Sequence, residues 1–353
     1  MTAEIKKMTS GPNSSVVQAE PTVAVGYAME LINFALNEGV EKSALLAAAH
    51  IDTDGLKDPD ARLPFSRYVA LMRAAKDLTE DPTFALRLGQ QHDFDTVSVV
   101  GLLCYAAPTM GDSLKALNEF GRLVAEFDMP EPGNRFKLVE DSEGLWLTDT
   151  QAGALEFPEM TEETWSRFIA ETTRNFPEFT FAKRACVPHP APAHAEAYER
   201  LWNVPVTFGS DRNGILINSD WPKIPLHKPN PYVFGLLSEH AQQLMINLEQ
   251  SKTVRGQVEA ALLPLLHTQD TGMDAIAGTL GMSRQTLYRR LREEGVTFEQ
   301  VFDELRHQMA LHYLNGKKTT VYETATLLGF SDASAFSRAF KRWTGKSPKS
   351  LKG

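Results

Sequence analysis

Hydrophobic positions recur every three or four residues over roughly the first 125 positions and again over the last hundred, and they alternate with polar positions in between. This spacing predicts pairs of helices in 25–52 and 63–90, then an apolar segment, a turn and an amphipathic helix in 98–127. Gly39 is expected to end the first helix, and Ser66 is expected to cap the third. The first part of the chain is therefore predicted to be helical.

The period changes to two in residues 135–150, where Asp141–Gly144 interrupt the alternation, and this pattern predicts a β-hairpin. Further strands are expected in 179–187 and 204–218, with helices near 160–175 and 192–202. The predicted N-terminal domain is thus α+β, with a helical first half followed by a small antiparallel sheet.

The segment 272–294 has the pattern of a helix-turn-helix unit. A short apolar-faced helix is expected to end at Gly281, which can adopt the positive φ of a tight turn. Ser283 then caps a second helix by accepting from its first free amides. Leu287 and Leu291, four residues apart, give that second helix a buried stripe.

The same pattern occurs a second time. Gly329 and Ser331 repeat, 48 residues further on, the spacing of Gly281 and Ser283, and the second unit is one residue longer past its turn. An amphipathic helix from about Thr297 to Leu314 joins the two units and is roughly 27 Å long at ~1.5 Å per residue. It can hold two recognition helices about one DNA turn apart, on the order of 34 Å, so one chain could enter two successive major grooves.

Charge supports a nucleic-acid partner for this region. Residues 251–353 hold 15 Lys and Arg against 10 Asp and Glu, a net charge of +5, whereas residues 1–250 hold 21 against 35, a net charge of −14. Basic side chains on the exposed helix faces would meet phosphates, which supply most of the affinity for DNA. Four arginines fall within nine residues of the first unit: Arg284, Arg289, Arg290 and Arg292.

Residues 252–353 resemble the DNA-binding domain of the AraC/XylS family of bacterial transcription regulators. The two units, the connecting helix and the closing "GFSDASAFSRAFKRWTGKSPKSL" carry the resemblance. It implies an all-α domain of seven helices, with RNA polymerase as a further partner. The implied base readers are Gln285, Tyr288 and Arg289 in the first unit and Ala333, Ser334, Ser337 and Arg338 in the second.

The second set of readers is weaker than the first. Arg pairs with guanine in a bidentate way and Gln with adenine, whereas Ala333 and Ser334 are small, although Ala333 could touch a thymine methyl. The second unit is therefore expected to position the protein more than it specifies sequence. Arg284, Arg292, Lys341 and Arg342 are expected to add contacts to the DNA backbone. The expected core residues are Leu287, Leu291, Phe336, Phe340 and Trp343.

The N-terminal region resembles the arabinose-binding-domain-like region of one AraC-family branch. "LLAAAHIDTDGLKDPDARLPFSRY", "LLCYAAPTMGDSLKAL" and "HPAPAHAEAYERLWNVPVTFGSDRNGILIN" carry this likeness, and with the C-terminal match it covers about residues 24–353. The helical start does not resemble the β-barrel sugar sensor that gave the family its name, so arabinose is not implied as a ligand.

The sequence gives little support for an enzyme. His189 and His194 lie in the proline-rich "HPAPAH", which is expected to be a polar loop without metal-ligand spacing. Glu162 and Glu163 are adjacent on a helix and point in different directions. Methyl-accepting DNA-repair proteins carry a related DNA-binding domain, but they need a Pro-Cys-His context. Cys104 and Cys186 lack it and are expected to be buried thiols in a reducing cytoplasm.

A small-molecule sensor is the favoured interpretation of the first domain. Several side chains could form the wall of a ligand site or its polar anchors, although each also fits an ordinary core or surface role. We therefore assign none of them to effector binding. The possible wall residues are Trp146, Trp165, Trp202, Trp221 and Phe157, and the possible polar anchors are Arg167, Glu156 and Glu159. A helix with apolar positions over 232–250 follows the proline-rich stretch 222–231. It either pairs two protomers or packs on its own sensor domain.

The sequence thus predicts a cytoplasmic, ligand-responsive transcription regulator that acts as a homodimer on double-stranded promoter DNA, without cofactor, bound metal or membrane span. The alternative is a constitutive or architectural DNA-binding protein without a ligand. The expected layout is a flexible tail over 1–20, an effector domain over 21–228, a linker or dimerisation helix over 229–251, and a DNA-binding domain over 252–353 with units at about 272–294 and 320–343.

Overall fold

The computed structural model describes residues 20–91, 94, 98–127, 134–226, 229–268, 270–315 and 319–351. The chain divides between Met245 and Ile246 into two compact units. The tail expected over 1–20 lies outside the described residues, apart from Glu20.

The helical part of the first unit follows the apolar pattern of the sequence. Its helices are α1 (Val25–Asn37), α2 (Lys42–Ala48), α3 (Phe65–Thr79), α4 (Phe84–Gln91), α5 (Val99–Ala106), α6 (Met110–Phe120), α7 (Pro158–Asn175) and α8 (Ala195–Trp202).

Local capping explains some of these boundaries. The hydroxyls of Ser98 and Thr109 accept backbone amides at the starts of α5 and α6. The expected cap at Ser66 is wrong, because Ser66 is the second residue of α3, which begins directly after Pro64. A tertiary bond fixes this start, since the Phe65 amide donates to the carbonyl of residue 21.

The α+β fold class is confirmed, with one change to the sheet. Strands β1 (Thr22–Ala24) and β2 (Arg62–Pro64) form a separate antiparallel pair. The main sheet has the order β3-β4-β7-β5-β6. Its adjacent strands are antiparallel except for β5 and β6, which are parallel and share two residue pairs. Its strands are β3 (Phe136–Asp141), β4 (Gly144–Asp149), β5 (Ala182–Cys186), β6 (Val206–Thr207) and β7 (Gly214–Ile217).

Helix α7 is fixed by buried tryptophans that form hydrogen bonds along it. The indole of Trp202 donates to Ser166 Oγ at 2.7 Å, and the indole of Trp221 donates to Thr172 Oγ1 at 3.3 Å. These tryptophans belong to the hydrophobic core that α7 and α8 share with the sheet. Burying an indole with its N–H satisfied stabilises the contact, and it leaves α7 as a rigid support for the side chains discussed below.

The second unit is helical. Helix α9 (Pro231–Lys252) crosses the division between the units and is followed by α10 (Val254–Leu262), α11 (Met273–Thr279), α12 (Arg284–Glu293), α13 (Phe298–Asn315), α14 (Val321–Leu327) and α15 (Ala333–Thr344). Helices α11 and α12 form the first helix-turn-helix unit, and α14 and α15 form the second. Seven helices were implied for residues 252–353; the described residues of this region form the six α-helices α10 to α15, with short 3-10 helices at Leu263–Leu265 and Pro348–Leu351.

The turns of the two helix-turn-helix motifs each contain a glycine with positive φ, but the surroundings of the two glycines differ. Gly281 has φ +65° and Gly329 has φ +69°. A Cβ at Gly281 would meet nothing within 4 Å, whereas a Cβ at Gly329 would lie 2.2 Å from the carbonyl oxygen of Leu266. The second turn is therefore pressed against the end of the preceding α10 region, and the first is open.

The recognition helices α12 and α15 start at different caps. Ser283 Oγ accepts the Thr286 amide at the start of α12. Asp332, and not Ser331, caps α15 by accepting the amides of residues 334 and 335. The extra residue expected in the second helix-turn-helix lies between Gly329 and this cap.

The core of the second unit contains most of the expected side chains. Leu287, Leu291, Phe336 and Phe340 are buried, as the spacing predicts. Trp343 is only half-buried and packs against the edge of this core. It was expected to be interior; it lies in the last turn of α15, where the helix leaves the core.

Candidate functional site

The outer face of α12 presents the side chains that were predicted to meet DNA. Arg284, Gln285, Tyr288, Arg289 and Arg292 are exposed, on the side opposite the buried leucines. The Tyr288 side chain is 51% exposed and has the Arg292 guanidinium beside its ring. The first recognition helix therefore offers cationic, amide and aromatic groups on one accessible surface.

The exposed face of α15 has smaller side chains than that of α12, and one of them already forms a hydrogen bond within the helix. Ser334, Arg338, Lys341 and Arg342 are exposed, whereas Ala333 and Ser337 are half-buried. The Ser337 hydroxyl donates to the carbonyl of residue 333 at 2.7 Å. This bond uses the proton of the hydroxyl, so Ser337 would meet a base only as an acceptor. The assignment of these residues to DNA contacts remains a prediction.

Three arginines of this surface form ion pairs within the second unit. The distances are 2.7 Å for Arg284 to Asp274, 3.0 Å for Arg289 to Glu293 and 2.6 Å for Arg342 to Asp303. Exposed pairs of this kind contribute about 0–1 kcal/mol. A phosphate can therefore replace the carboxylate at little cost.

The end of α15 provides a test of backbone contact. Replacing Lys341 and Arg342 together with alanine should weaken binding to operator and random DNA alike. It should also flatten the dependence of log K on log salt by about 0.9 for each phosphate that the variant no longer neutralises. Fluorescence anisotropy over a salt series measures both quantities.

The control removes the same charge elsewhere. Lys115 and Lys223 are exposed lysines of the first unit, and their double alanine variant should leave the salt slope unchanged. A loss of affinity confined to the operator would contradict a backbone role for Lys341 and Arg342.

The first unit contains a cavity of about 130 Å³. Helix α6 forms one wall and α7 another, and Tyr27 of α1 and Cys104 of α5 also line it. An apolar cavity of about 150 Å³ accepts a six-carbon ring, so the space suits a small metabolite. The aromatic lining residues are Tyr27, Phe94, Tyr105, Phe127, Phe136, Phe168, Phe176 and Trp221.

The polar part of the lining is concentrated on α7. Thr164, Arg167, Glu171 and Asn175 follow one another at spacings of three and four residues, so they form one stripe facing the cavity. Arg167 is buried and binds the carboxylate of Glu30 with both terminal nitrogens, at 2.8 and 2.9 Å. Its charge is fully engaged inside the protein.

A second arginine reaches the cavity from the segment before β3. Arg135 binds Asp149 through Nη2 at 2.8 Å and through Nε at 3.2 Å, and Nη2 also donates to Thr164 Oγ1 at 3.0 Å. Its guanidinium lies over the rings of Phe127 and Phe136 at 4.2 and 4.6 Å. The side chain is thus held in one orientation.

Of the sequence candidates for a ligand site, Trp221 and Arg167 line this cavity. The others do not; Trp165 and Trp202, for example, belong to the core next to it. Sequence reasoning missed Arg135 and Glu171. A usable signal was present for Glu171, because α7 places charged and hydroxyl residues on its buried side.

Three of the residues weighed as possible catalysts lie around Tyr198: Glu162, His189 and His194. The Tyr198 hydroxyl donates to Glu162 Oε1, and the rings of His189 and His194 pack beside it. The segment "HPAPAH" has no helix or strand, as expected for a loop, but His189 within it is only 5% exposed. Glu163 turns away toward Arg167, as adjacent helical positions require.

This cluster makes stability depend on pH. Burial raises the pKa of Glu162 to about 7, whereas a carboxyl in the unfolded chain has a pKa of about 4.3. The folded state therefore holds a proton that the unfolded state lacks over this window, and this contribution is lost as pH rises through 7. Replacing Glu162 with Gln should remove a stability change on the order of 2–3 kcal/mol between pH 5 and 8.5.

Urea unfolding of both proteins across this range is the measurement. Burial lowers the pKa of His189 and of His194, and their contribution is lost as pH falls. The difference between wild type and the Gln variant cancels the histidine contribution. A difference that stays constant with pH would show that Glu162 is ionised in the folded protein at neutral pH.

Within the described residues, no helix is long and apolar enough to cross a membrane. The same residues contain no group of three or more His, Cys, Asp or Glu side chains that could hold a metal ion.

Comparisons with known proteins cover both units. The family model of the arabinose-binding domain of AraC transcription regulators, N-terminal, matches residues 39–226, and a helix-turn-helix domain model matches 276–353. The chain is 27% identical over 329 residues to the ornithine utilization regulator of Pseudomonas aeruginosa, covering 92% of this chain and 95% of that protein.

Two further comparisons cover different shares of the chain. The transcriptional activator RhaS of Escherichia coli is 32% identical over 118 residues, which is 33% of this chain and 42% of that protein. The crystal structure of the transcriptional regulator CdpR from Pseudomonas aeruginosa matches 92% of this chain and 98% of its own, with 21% identity and a TM-score of 0.39.

Proposed function

The chain belongs to the AraC family of transcription regulators, and from this premise we propose that it binds promoter DNA through α12 and α15 and changes its DNA affinity when a small molecule fills the cavity of the first unit. The observation that carries the DNA half is the repeated helix-turn-helix, with exposed basic recognition helices on both sides of α13. Such a regulator acts where the chromosome is, which in a bacterium is the cytoplasm.

The first recognition helix is proposed to read sequence. Gln285, Tyr288 and Arg289 stand on its exposed face, and Arg289 is suited to a bidentate contact with guanine. On α15 the exposed groups are Ser334 and the basic side chains. This supports a role of the second helix-turn-helix in positioning the protein on DNA.

Replacing Arg289 with alanine should cost about 1–3 kcal/mol at the operator and relax one base position. Selection of binding sites from random DNA, read as a sequence logo, measures this. Arg290→Ala removes the same charge at a half-buried position of the same helix, and it should leave the logo unchanged. An Arg289→Ala logo identical to that of wild type would contradict the assignment.

The cavity is proposed as the effector site. It combines apolar and aromatic walls with a few fixed polar groups, which is the usual composition of small-molecule sites. A ligand can shift DNA affinity only if it binds DNA-competent and DNA-incompetent states differently. The ornithine utilization regulator suggests nitrogen-containing metabolites as the first compounds to screen.

Homodimerisation through α9 and contact with RNA polymerase complete the proposal. Helix α9 exposes Tyr232, Val233, Leu236 and Ile246. Pairing would place a second DNA-binding domain near an adjacent half-site and raise its effective concentration.

The test of ligand dependence uses the full chain and a cavity-filling variant. A metabolite panel is screened by thermal shift, since a ligand of the folded state stabilises it by mass action. Each compound found is then added to an operator-binding titration with wild type and with Leu117→Trp, which fills the wall on α6. Leu138→Trp on the partly exposed face of β3 is the matched control.

The expected result is a ligand-dependent change in operator affinity that Leu117→Trp abolishes and Leu138→Trp retains. Operator binding that no compound changes, at equal strength in all three proteins, would favour the alternative, a constitutive or architectural DNA-binding protein.

A further inference from the structure

We propose that the cavity takes an uncharged ligand with a single aromatic ring, in preference to a carboxylate or an ammonium compound. The inference rests on the proposed function, because that function makes the cavity the effector site, and it adds the chemical class of the effector. It depends on the aromatic lining of the cavity, on the partners of its charged residues and on its volume.

One part of the wall is a continuous row of aromatic rings. Phe168 of α7 lies 5.1 Å from Phe136 and 6.4 Å from Trp221 between ring centroids, with interplanar angles of 69° and 61°. All three residues line the cavity. Aromatic rings prefer edge-to-face and offset-stacked contacts at about 4.5–7 Å. The row therefore offers a ligand ring the same kind of contact that its members already make with one another.

The wall formed by α6 is aliphatic. Met110, Leu114 and Leu117 line the cavity at spacings of four and three residues, so they lie on one face of the helix. A ring bound between α6 and α7 would contact aliphatic side chains from the first helix and an aromatic side chain from the second. Removing the apolar surface of such a ligand from water is favourable in proportion to the area buried.

Two arginines of the lining are held by buried carboxylates. Arg135 pairs with Asp149, and Arg167 lies between Glu30 and Glu163. These three acidic residues are 6%, 7% and 1% exposed. A ligand carboxylate would compete with them for the same guanidinium groups, and an acid that lost its partner would become an unpaired buried charge, which is strongly destabilising. The two arginines therefore serve the fold rather than an anionic ligand.

The other charged residues of the described wall also have partners inside the protein. Arg122 pairs with Glu126 at 3.2 Å, and the Glu171 carboxylate accepts the amide of Phe94 at 2.5 Å. Moving a ligand charge from water into an apolar space costs free energy unless a counter-charge compensates it. An uncharged ligand avoids this cost and leaves all of these contacts in place.

Neutral polar groups on the wall allow the ring to carry a hydroxyl. Ser113 and Thr164 line the cavity, and Thr164 Oγ1 accepts a hydrogen bond from Arg135 at 3.0 Å. A hydroxyl donates one hydrogen bond and has two acceptor lone pairs. These side chains can therefore bind a neutral polar substituent without giving up a bond inside the protein.

The volume of the cavity sets the size of the ligand. It measures about 130 Å³, and an apolar cavity of about 150 Å³ accepts benzene. One ring with a short substituent therefore fills the space. A fused second ring would press on side chains of packed helices, and overpacking of this kind is destabilising.

Calorimetric titration of the full chain with matched compounds tests the charge of the ligand. Benzyl alcohol carries the ring and a hydroxyl, benzylammonium has a positive charge in place of the hydroxyl, and benzoate has a negative charge. We expect benzyl alcohol to bind about tenfold or more tightly than either charged compound, because only it enters without an unpaired charge. Ornithine, which has three charged groups and no ring, should bind more weakly than benzyl alcohol.

Two neutral compounds test the ring. Cyclohexylmethanol keeps the shape of benzyl alcohol but lacks the aromatic face, so it should bind more weakly. 2-Naphthylmethanol adds a second fused ring and should also bind more weakly, because the cavity is too small for it. These comparisons are made on the wild-type chain, so they do not depend on how any variant folds.

The cavity-filling variant locates the binding. Leu117→Trp should abolish the binding of benzyl alcohol, and the control Leu138→Trp should retain it. Binding of benzylammonium or benzoate as tight as that of benzyl alcohol would overturn the proposal. Binding of none of these compounds, or equal binding of benzyl alcohol to wild type and Leu117→Trp, would overturn it as well.

Operator titration judges the proposed function separately. If benzyl alcohol binds in the cavity but no compound changes operator affinity, the ligand class stands and the proposed ligand response fails. If a charged compound changes operator affinity through the cavity, the ligand class is wrong and the effector site stands.

Discussion

Replacing Arg167 with methionine should lower the free energy of unfolding by about 3–5 kcal/mol, because it leaves buried carboxylates without their counter-charge. Glu30 and Glu163 are 7% and 1% exposed, and both bind Arg167. Burial raises the pKa of Glu30 even with the arginine present. Urea unfolding, followed by a probe of the first unit, measures the loss.

The cause can be separated from a packing defect. Adding Glu30→Gln and Glu163→Gln to the methionine variant removes the unpaired charges, so the triple variant should regain much of the stability. The single variant should also become more stable as pH falls from 8 to 5. Glu30 would bind a proton in the folded state that the unfolded state lacks, since burial holds its folded pKa above the unfolded value. If the triple variant is no more stable than the single one, the loss comes from packing rather than charge.

The second large effect separates two glycines that look equivalent in the sequence. Gly329→Ala should destabilise the C-terminal unit by about 2–5 kcal/mol, and Gly281→Ala by about 1–2 kcal/mol. Both positions have positive φ, which costs an L-residue roughly 1–2 kcal/mol. Only at Gly329 does the added methyl also collide with the carbonyl of Leu266, and overpacking adds about 1–3 kcal/mol.

Hydrogen exchange in α14 and α15 would measure the effect of Gly329→Ala locally, and exchange in α11 and α12 that of Gly281→Ala. For Gly329→Ala, operator affinity should fall together with the protection of α14 and α15 from hydrogen exchange. Equal loss of stability for the two variants would show that the backbone conformation alone sets the cost.

The helix-turn-helix units were predictable because their signals are local. Gly281 and Ser283 each act within one helical turn, and the leucine stripe of α12 follows directly from spacing. Ser66 shows the limit of such reasoning. A serine near a helix start resembles a cap, but strand pairing of β2 with β1 sets where α3 begins.

The cavity was not predictable, since residues far apart in the chain form it. Arg135 reaches Thr164 only because the hairpin β3–β4 packs beside α7. His189 looked like part of a polar loop, yet Tyr198 and Phe208 enclose it. Periodicity predicts which side of an element is buried, but it does not predict which distant element covers that side.

The carboxylates beside Arg284, Arg289 and Arg342 bear on how quickly the protein finds its operator on a chromosome. Under the proposed DNA contacts, these carboxylates would act as tethered counterions that an incoming phosphate has to displace. At the operator, base contacts add to the phosphate contacts and compensate for this displacement, whereas random DNA offers phosphates alone. Random sites should therefore release the protein sooner. A shorter residence time at each random site would leave more time for sampling new sites, so we expect the ion pairs to speed the search for the operator at some cost in affinity.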